Sequence, residues 1–141
     1  MNIYGVELEP FIRLFASFLL SGLIGYEREV AGKPAGFRTH ILVGISTTLM
    51  TMMMYEVKVG DPGRIPAAVI AGVGFIGAGT ILKEGEKIIG ITTAATLWAV
   101  AAIALACGYG RLDLGISVAI LSYVTLKLRP LESRIRGEKK S

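Results

Sequence analysis

Three groups of polar residues have the types and spacing to do chemistry. The first is Glu27-Arg28-Glu29, followed by Arg38 and His40, all within the segment YEREVAGKPAGFRTH. Arg28 and Arg38 carry planar guanidinium forks that grip carboxylate or phosphate in bidentate fashion, where lysine acts as a point charge. They are candidates to hold an anionic lipid head or the acidic face of a partner. The same charges can also satisfy each other, with Glu27 or Glu29 pairing Arg38 and closing the loop. The second group, Asp61 and Arg64, flanks Pro62-Gly63 in a segment of turn composition. The third is Thr92, Thr93 and Thr96, with Trp98 close behind. Threonines in an apolar helix bond their own i−4 carbonyl or a neighbouring helix, or else line a polar path. By spacing, Thr92 and Thr96 share a face, and Trp98 is expected to pack between helices.

Other chemistry finds less support. His40 is the only histidine, and no serine, cysteine or carboxylate stands at a motif spacing from it. Nucleophilic or acid–base catalysis is therefore not expected, and His40 is placed at the interfacial start of a helix. Cys107 is the single cysteine, so there is no disulfide framework; a small apolar role at a helix end is expected. The run Met50 and Met52 to Met54 reads as adaptable packing. Gly72-x-Gly74-x-x-Gly77 matches the dinucleotide fingerprint in form only. That fingerprint needs a strand before it and a helix opening at it, whereas this one lies inside a long apolar run. No cofactor is expected.

Five apolar stretches position these groups: Phe11–Tyr26, Thr39–Val59, Ile65–Leu82, Gly90–Cys107 and Leu112–Leu128. A membrane-spanning helix needs about 20 mostly apolar residues, so five of them use most of the 141 residues. The expected fold is all-α and integral to a membrane, a bundle of five transmembrane helices over 11–128, between an outer segment 1–10 and a basic tail 129–141. Small residues at four-residue spacing mark close-packing faces: Ser17, Ser21 and Gly25 in the first helix, Gly44 with Thr48 in the second, Gly115 with Ala119 in the fifth. The third helix has the thinnest face, with Gly72, Gly74, Gly77 and Gly79 beside Ala68 and Ala78. It is expected at the centre of the bundle, with local unwinding at Gly77–Gly79 as an alternative.

Composition agrees with a membrane chain. Hydrophobic residues make up 52% and charged residues 18%, against about 25% charged in a soluble domain. With the amino terminus outside, the inner segments hold eleven of the fifteen lysines and arginines: Arg28, Lys33, Arg38, Lys83, Lys87, Lys127, Arg129, Arg134, Arg136, Lys139 and Lys140. The outer side holds Arg13, Lys58, Arg64 and Arg111. Basic residues concentrate in cytoplasmic loops, so the amino terminus is expected outside and the carboxyl terminus inside. The leader carries Glu7 and Glu9 where a signal peptide would be positive, so a retained first helix is expected. The basic tail lacks the aromatic interleaving of a nucleic-acid module, and nucleic acid is not an expected partner.

The strings GLIGYERE, AGFRTH, DPGRI, AGVGFIGAGTIL, GITTAATLW and AAIALACGYG occur in one order and at one set of spacings. Together they resemble the MgtC/SapB family of bacterial inner-membrane proteins, over about residues 14–128. The family pattern falls on Glu27, Arg28, Gly36, Arg38, Thr39, Asp61, Arg64, Gly72, Gly74, Gly77, Gly79, Gly90, Thr93 and Trp98. The chain departs from it in places. The virulence branch has Asn at the position of Thr92, and many members have Gln for Ala68 and Ala for Pro66. Longer members append a soluble carboxyl-terminal domain; the resemblance is to a short form, in which any role of that domain is expected to be absent or supplied by another protein. The resemblance implies a multi-pass protein of the bacterial cytoplasmic membrane linked to growth at low magnesium. It also implies a regulatory role on another membrane complex, an ATP synthase or a transport ATPase, with a homo-oligomer as a further expectation. The alternative is a small-ion transporter or channel for Mg²⁺ or another cation. Mid-membrane ion sites are normally marked by acids, and the eleven acids here fall in predicted loops, tails or helix ends. That favours the regulatory reading.

Overall fold

Each helix begins and ends where local chemistry permits. The first, α1 (Glu9–Val30), opens with an acid and a proline, which suit the positive end and the free N–H groups of a first turn. It closes at Ala31 and Gly32, the latter at φ +63°. The others are α2 (Phe37–Glu56), α3 (Arg64–Ala78), α4 (Ile91–Gly108) and α5 (Leu112–Lys127). Two antiparallel ribbons complete the computed structural model: β1 (Asn2–Ile3) with β2 (Val6–Glu7), and β3 (Leu82–Glu84) with β4 (Lys87–Ile89). The structure describes residues 2–3, 6–56, 61, 63–128 and 135. Apart from Ile135, the basic tail expected over 129–141 lies outside the described residues, as do Lys58 and Pro62.

The bundle is built around α4, which packs against α1, α2, α3 and α5. Its buried stripe includes Leu97, Val100, Ala101, Ile103, Ala104, Cys107 and Gly108, and the small members let several helices approach at once. Ile24, Val100, Ile103, Cys107 and Ala119 form one core; Ala35, Val69, Val73, Leu97 and Ala101 form a second. Cys107 is the small apolar residue expected of it. The third helix is not central as its glycines suggest. It buries only Val69, Val73 and Gly77, packs on α4, and meets α2 lightly. A Cβ at Gly72 would meet nothing within 4 Å, so much of the thin face is open.

The closest seam lies instead between α1 and α2. Ser17, Ser21 and Gly25 are all buried along it. A Cβ on Gly25 would come within 2.8 Å of the His40 Cβ, and one on Gly44 would collide with the Ser21 hydroxyl. Gly115 and Ala119 serve the α4–α5 seam, where a Cβ on Gly115 would stand 3.2 Å from Cys107 Sγ. At the far end, the Arg13 guanidinium pairs with Glu9 and donates to the Gly108 carbonyl at 2.7 Å. It satisfies a carbonyl that the end of α4 leaves free.

The expected third span stops short. The helix ends at Ala78, with Gly79 as its cap, and Thr80 Oγ1 donates to the Gly77 carbonyl at 2.8 Å. The β3–β4 ribbon then turns at Gly85, φ +60°, and enters α4 through Gly90 at φ +90°. A Cβ on Gly90 would collide with the Thr80 carbonyl, so this corner requires glycine.

Among the described residues α4 alone is long and apolar enough to cross a membrane unaided; α3 is apolar but has 15 residues. Exposed apolar side chains nevertheless cover the outside, including Phe11, Phe15 and Leu19 on α1 and Ile120, Leu121 and Val124 on α5. Soluble monomers rarely expose such continuous patches, whereas a bundle surrounded by lipid does.

Candidate functional site

The carboxyl ends of α1 and α5 and the amino ends of α2 and α4 meet at one end of the bundle, and their polar side chains interlock. Glu27 and Arg28 are both buried, 8% and 4% exposed, and pair with each other. Lys127 of α5 brings its Nζ to 3.9 Å from the other Glu27 oxygen and stands over the Tyr123 ring, 5.2 Å from its centroid. One carboxylate thus faces two cations, and the cluster is net positive. Burying an ion pair carries a desolvation cost that its Coulomb attraction barely offsets, so sharing Glu27 between two cations favours the arrangement.

Glu29 takes a different part. Its carboxylate accepts from the Phe37 N–H at 2.9 Å, capping the start of α2. Gly36 has no side chain because that carboxylate occupies the space. The expected pairing of Glu27 or Glu29 with Arg38 is therefore corrected: both acids find nearer partners. Arg38 is exposed, with no ion pair among the described residues. Arg28, buried against Glu27, cannot offer its fork to an outside ligand, which leaves Arg38 as the free fork of the two.

His40 lies wholly inside, despite its expected interfacial place. Its Nδ1 is 2.8 Å from the Gly36 carbonyl and its Nε2 is 3.0 Å from Thr96 Oγ1. The carbonyl can only accept, so Nδ1 carries a proton. Thr96 has a single hydroxyl proton and lies 2.7 Å from the Thr93 carbonyl. That proton can go to the Thr93 carbonyl or turn to Nε2. In the second case the neutral ring accepts it. The Gly36–His40–Thr96 chain thus ties the start of α2 to α4.

The other predicted residues scatter. Thr93 and Thr96 are buried, but Thr92 is exposed, because the buried stripe of α4 runs through 93, 96, 97 and 100. Trp98 is half exposed beside Gly74 rather than packed between helices; its Nε1 lies 3.9 Å from where a Gly74 Cβ would sit. Gly77 packs on Ala94, and Gly79 caps α3. Asp61 and Arg64 sit at the opposite end, where Asp61 Oδ1 accepts from the Gly63 N–H at 2.8 Å and the Arg64 side chain is exposed. Sequence reasoning missed Lys127 as a partner of Glu27 and Glu29 as a cap, since neither follows from spacing. It also missed Thr48 Oγ1 donating to the Ala104 carbonyl at 3.0 Å, although the buried Gly44–Thr48 face was its signal. Among the described residues no three carboxylate, imidazole or thiol groups converge as metal ligands would.

The chain is 43% identical over 129 residues to "Putative magnesium transporter YhiD" of Escherichia coli (strain K12), covering 85% of this chain and 60% of that protein. It is 40% identical over 121 residues to protein MgtC of Brucella abortus (strain 2308), covering 84% and 50%. It is 39% identical over 113 residues to protein MgtC of Salmonella typhimurium (strain 14028s / SGSC 2262), covering 79% and 49%. The chain therefore spans about half to three-fifths of the length of these relatives. No solved structure matches it. The profile of the MgtC family matches residues 14–134, and the chain belongs to that family.

Proposed function

We propose that this chain is a regulatory or interaction protein of the bacterial cytoplasmic membrane, tied to magnesium homeostasis through another membrane complex. In this reading all five helices cross the bilayer, with the amino terminus outside. The β3–β4 ribbon and the Glu27–Arg28–Lys127 cluster then face the cytoplasm. The observation that carries the reading is electrostatic. The carboxylate at the cytoplasmic end of the bundle core is neutralised by Arg28 and approached by Lys127. A divalent cation would meet net positive charge there, and Mg²⁺ surrenders its water reluctantly even to carboxylates. Outside this cluster, Arg38, Lys83 and Lys87 are exposed around the same end. They suit an acidic partner such as the ATP synthase or transport ATPase that the family resemblance points to.

A substitution tests this directly. Arg38→Lys keeps the charge and loses the fork, so it is expected to weaken partner co-purification and magnesium-limited growth while protein level stays unchanged. Co-purification and growth equal to wild type would remove Arg38 from recognition.

The second reading, transport of Mg²⁺ or another cation, draws on the YhiD name and on buried hydroxyls. Ser17 and Ser21 are fully buried with no hydrogen-bond partner among the described residues, and Thr47, Thr48, Thr51, Thr93 and Thr96 are buried too. Together they give α1, α2 and α4 a polar interior.

A further inference from the structure

A groove of about 780 Å³ runs between α2 and α3, where the third helix stands away from the second. Its walls run from Leu42 to Met53 on α2 and include Gly72 and Ile76 on α3; only Ser46 and Thr47 bring polar groups. Its volume falls within the roughly 300–1,000 Å³ of pockets that hold small molecules. Its length also has a meaning in a bilayer. The eleven steps from Leu42 to Met53 advance about 16 Å at 1.5 Å per residue, close to half of a hydrocarbon core about 30 Å thick.

An exposed arginine stands near each mouth, and the one on α2 is in register with the groove. Arg38 lies one turn before Leu42, on the same face of α2, exposed and without an ion pair among the described residues. The nearest acid in sequence, Glu29, spends its carboxylate on the Phe37 N–H. At the opposite mouth Arg64 precedes Ile65 and is exposed as well, in a turn it shares with Asp61, three residues before it, whose Oδ1 accepts from the Gly63 N–H. We infer that this groove is a binding site for an acidic phospholipid, with an acyl chain along α2 and α3 and its phosphate on Arg38. An apolar channel of one-leaflet length that leads to an unpaired guanidinium fits that ligand. The open space at Gly72 is where the chain lies. The site rests on the chain's place in a membrane; it competes with the regulatory reading for Arg38, and lipid counted on the purified chain, with no partner present, separates the two.

The test uses the full chain in detergent, titrated with phosphatidylglycerol or with phosphatidylcholine. Native mass spectrometry counts bound lipid, and thermal unfolding follows stabilisation. Wild type is expected to prefer phosphatidylglycerol by about fivefold, the ratio that corresponds to about 1 kcal/mol for one basic residue near a headgroup. Arg38→Gln should lose that preference, whereas Arg64→Gln should keep it. Gly72→Leu fills the groove where a side chain meets nothing, so the protein should stay folded and lose bound lipid. Ala68→Leu fills the same space and serves if Gly72→Leu does not fold. Equal binding of the two lipids by wild type, or undiminished lipid on folded groove-filled variants, overturns the site. So does a wild type that self-associates while the groove-filled variant is monomeric with lipid binding intact, which would assign the groove to a second copy of the chain.

Discussion

Residue identity matters most where a buried polar group has a single partner. His40 and Thr96 join α2 to α4 through one hydrogen bond deep in the bundle. Thr96→Val leaves Nε2 of the imidazole without that partner, at about 1–3 kcal/mol for an unsatisfied buried group. Thr92→Val lies on the exposed face of α4 and should change stability by less than about 0.5 kcal/mol. Thermal or denaturant unfolding in detergent distinguishes them; equal effects would contradict the His40–Thr96 link. The types of residue that matter here were visible in the sequence. Their pairing was not, because several charges lie within reach of each other at the mouth of one loop. Glu27 chose its neighbour Arg28, Glu29 chose a backbone N–H, and Arg38 was left free. Those choices depend on how the ends of four helices meet, which no spacing records.

At the scale of the element, small residues decide which helices touch. The repeats Ser17-Ser21-Gly25 and Gly115-Ala119 were legible and lie in real seams. The glycine run of α3 misled, because a thin face permits close approach without compelling it. The apolar stripe of α4 is broad enough to hold four neighbours, and α3 keeps only one edge of it. The consequence is opposite behaviour from similar substitutions. Gly44→Leu would drive a side chain into Ser21 and Ser17, so little folded protein is expected. Gly74→Leu meets only the half-exposed Trp98 and should leave a monodisperse, helical protein. Size-exclusion profiles and circular dichroism of the two variants check this; failure of both alike would place α3 in a seam after all. The β3–β4 ribbon was missed because a few charged residues around Gly85 read as an ordinary loop.

For the whole molecule, the five-helix count follows from hydropathy, and the proposed orientation follows from the distribution of lysine and arginine. Cys107 is buried, so an introduced cysteine reports its own side of the membrane. Glu86→Cys in the ribbon turn is expected to react with an impermeant maleimide only in inverted vesicles. Gly63→Cys, before α3, should react in intact spheroplasts. The reverse pattern would turn the molecule over and place its positive cluster outside.

Whether the chain moves magnesium or acts on something that does is the central question, and flux answers it most directly. Purified protein is reconstituted in liposomes with a trapped Mg²⁺ dye, and a magnesium gradient is imposed with and without a membrane potential. The net positive charge around Glu27 predicts no uptake above empty liposomes, from protein shown to be folded and inserted. Uptake that disappears in Thr93→Val, while that variant remains folded, would contradict the regulatory account and make the buried hydroxyls of α4 part of a transport path.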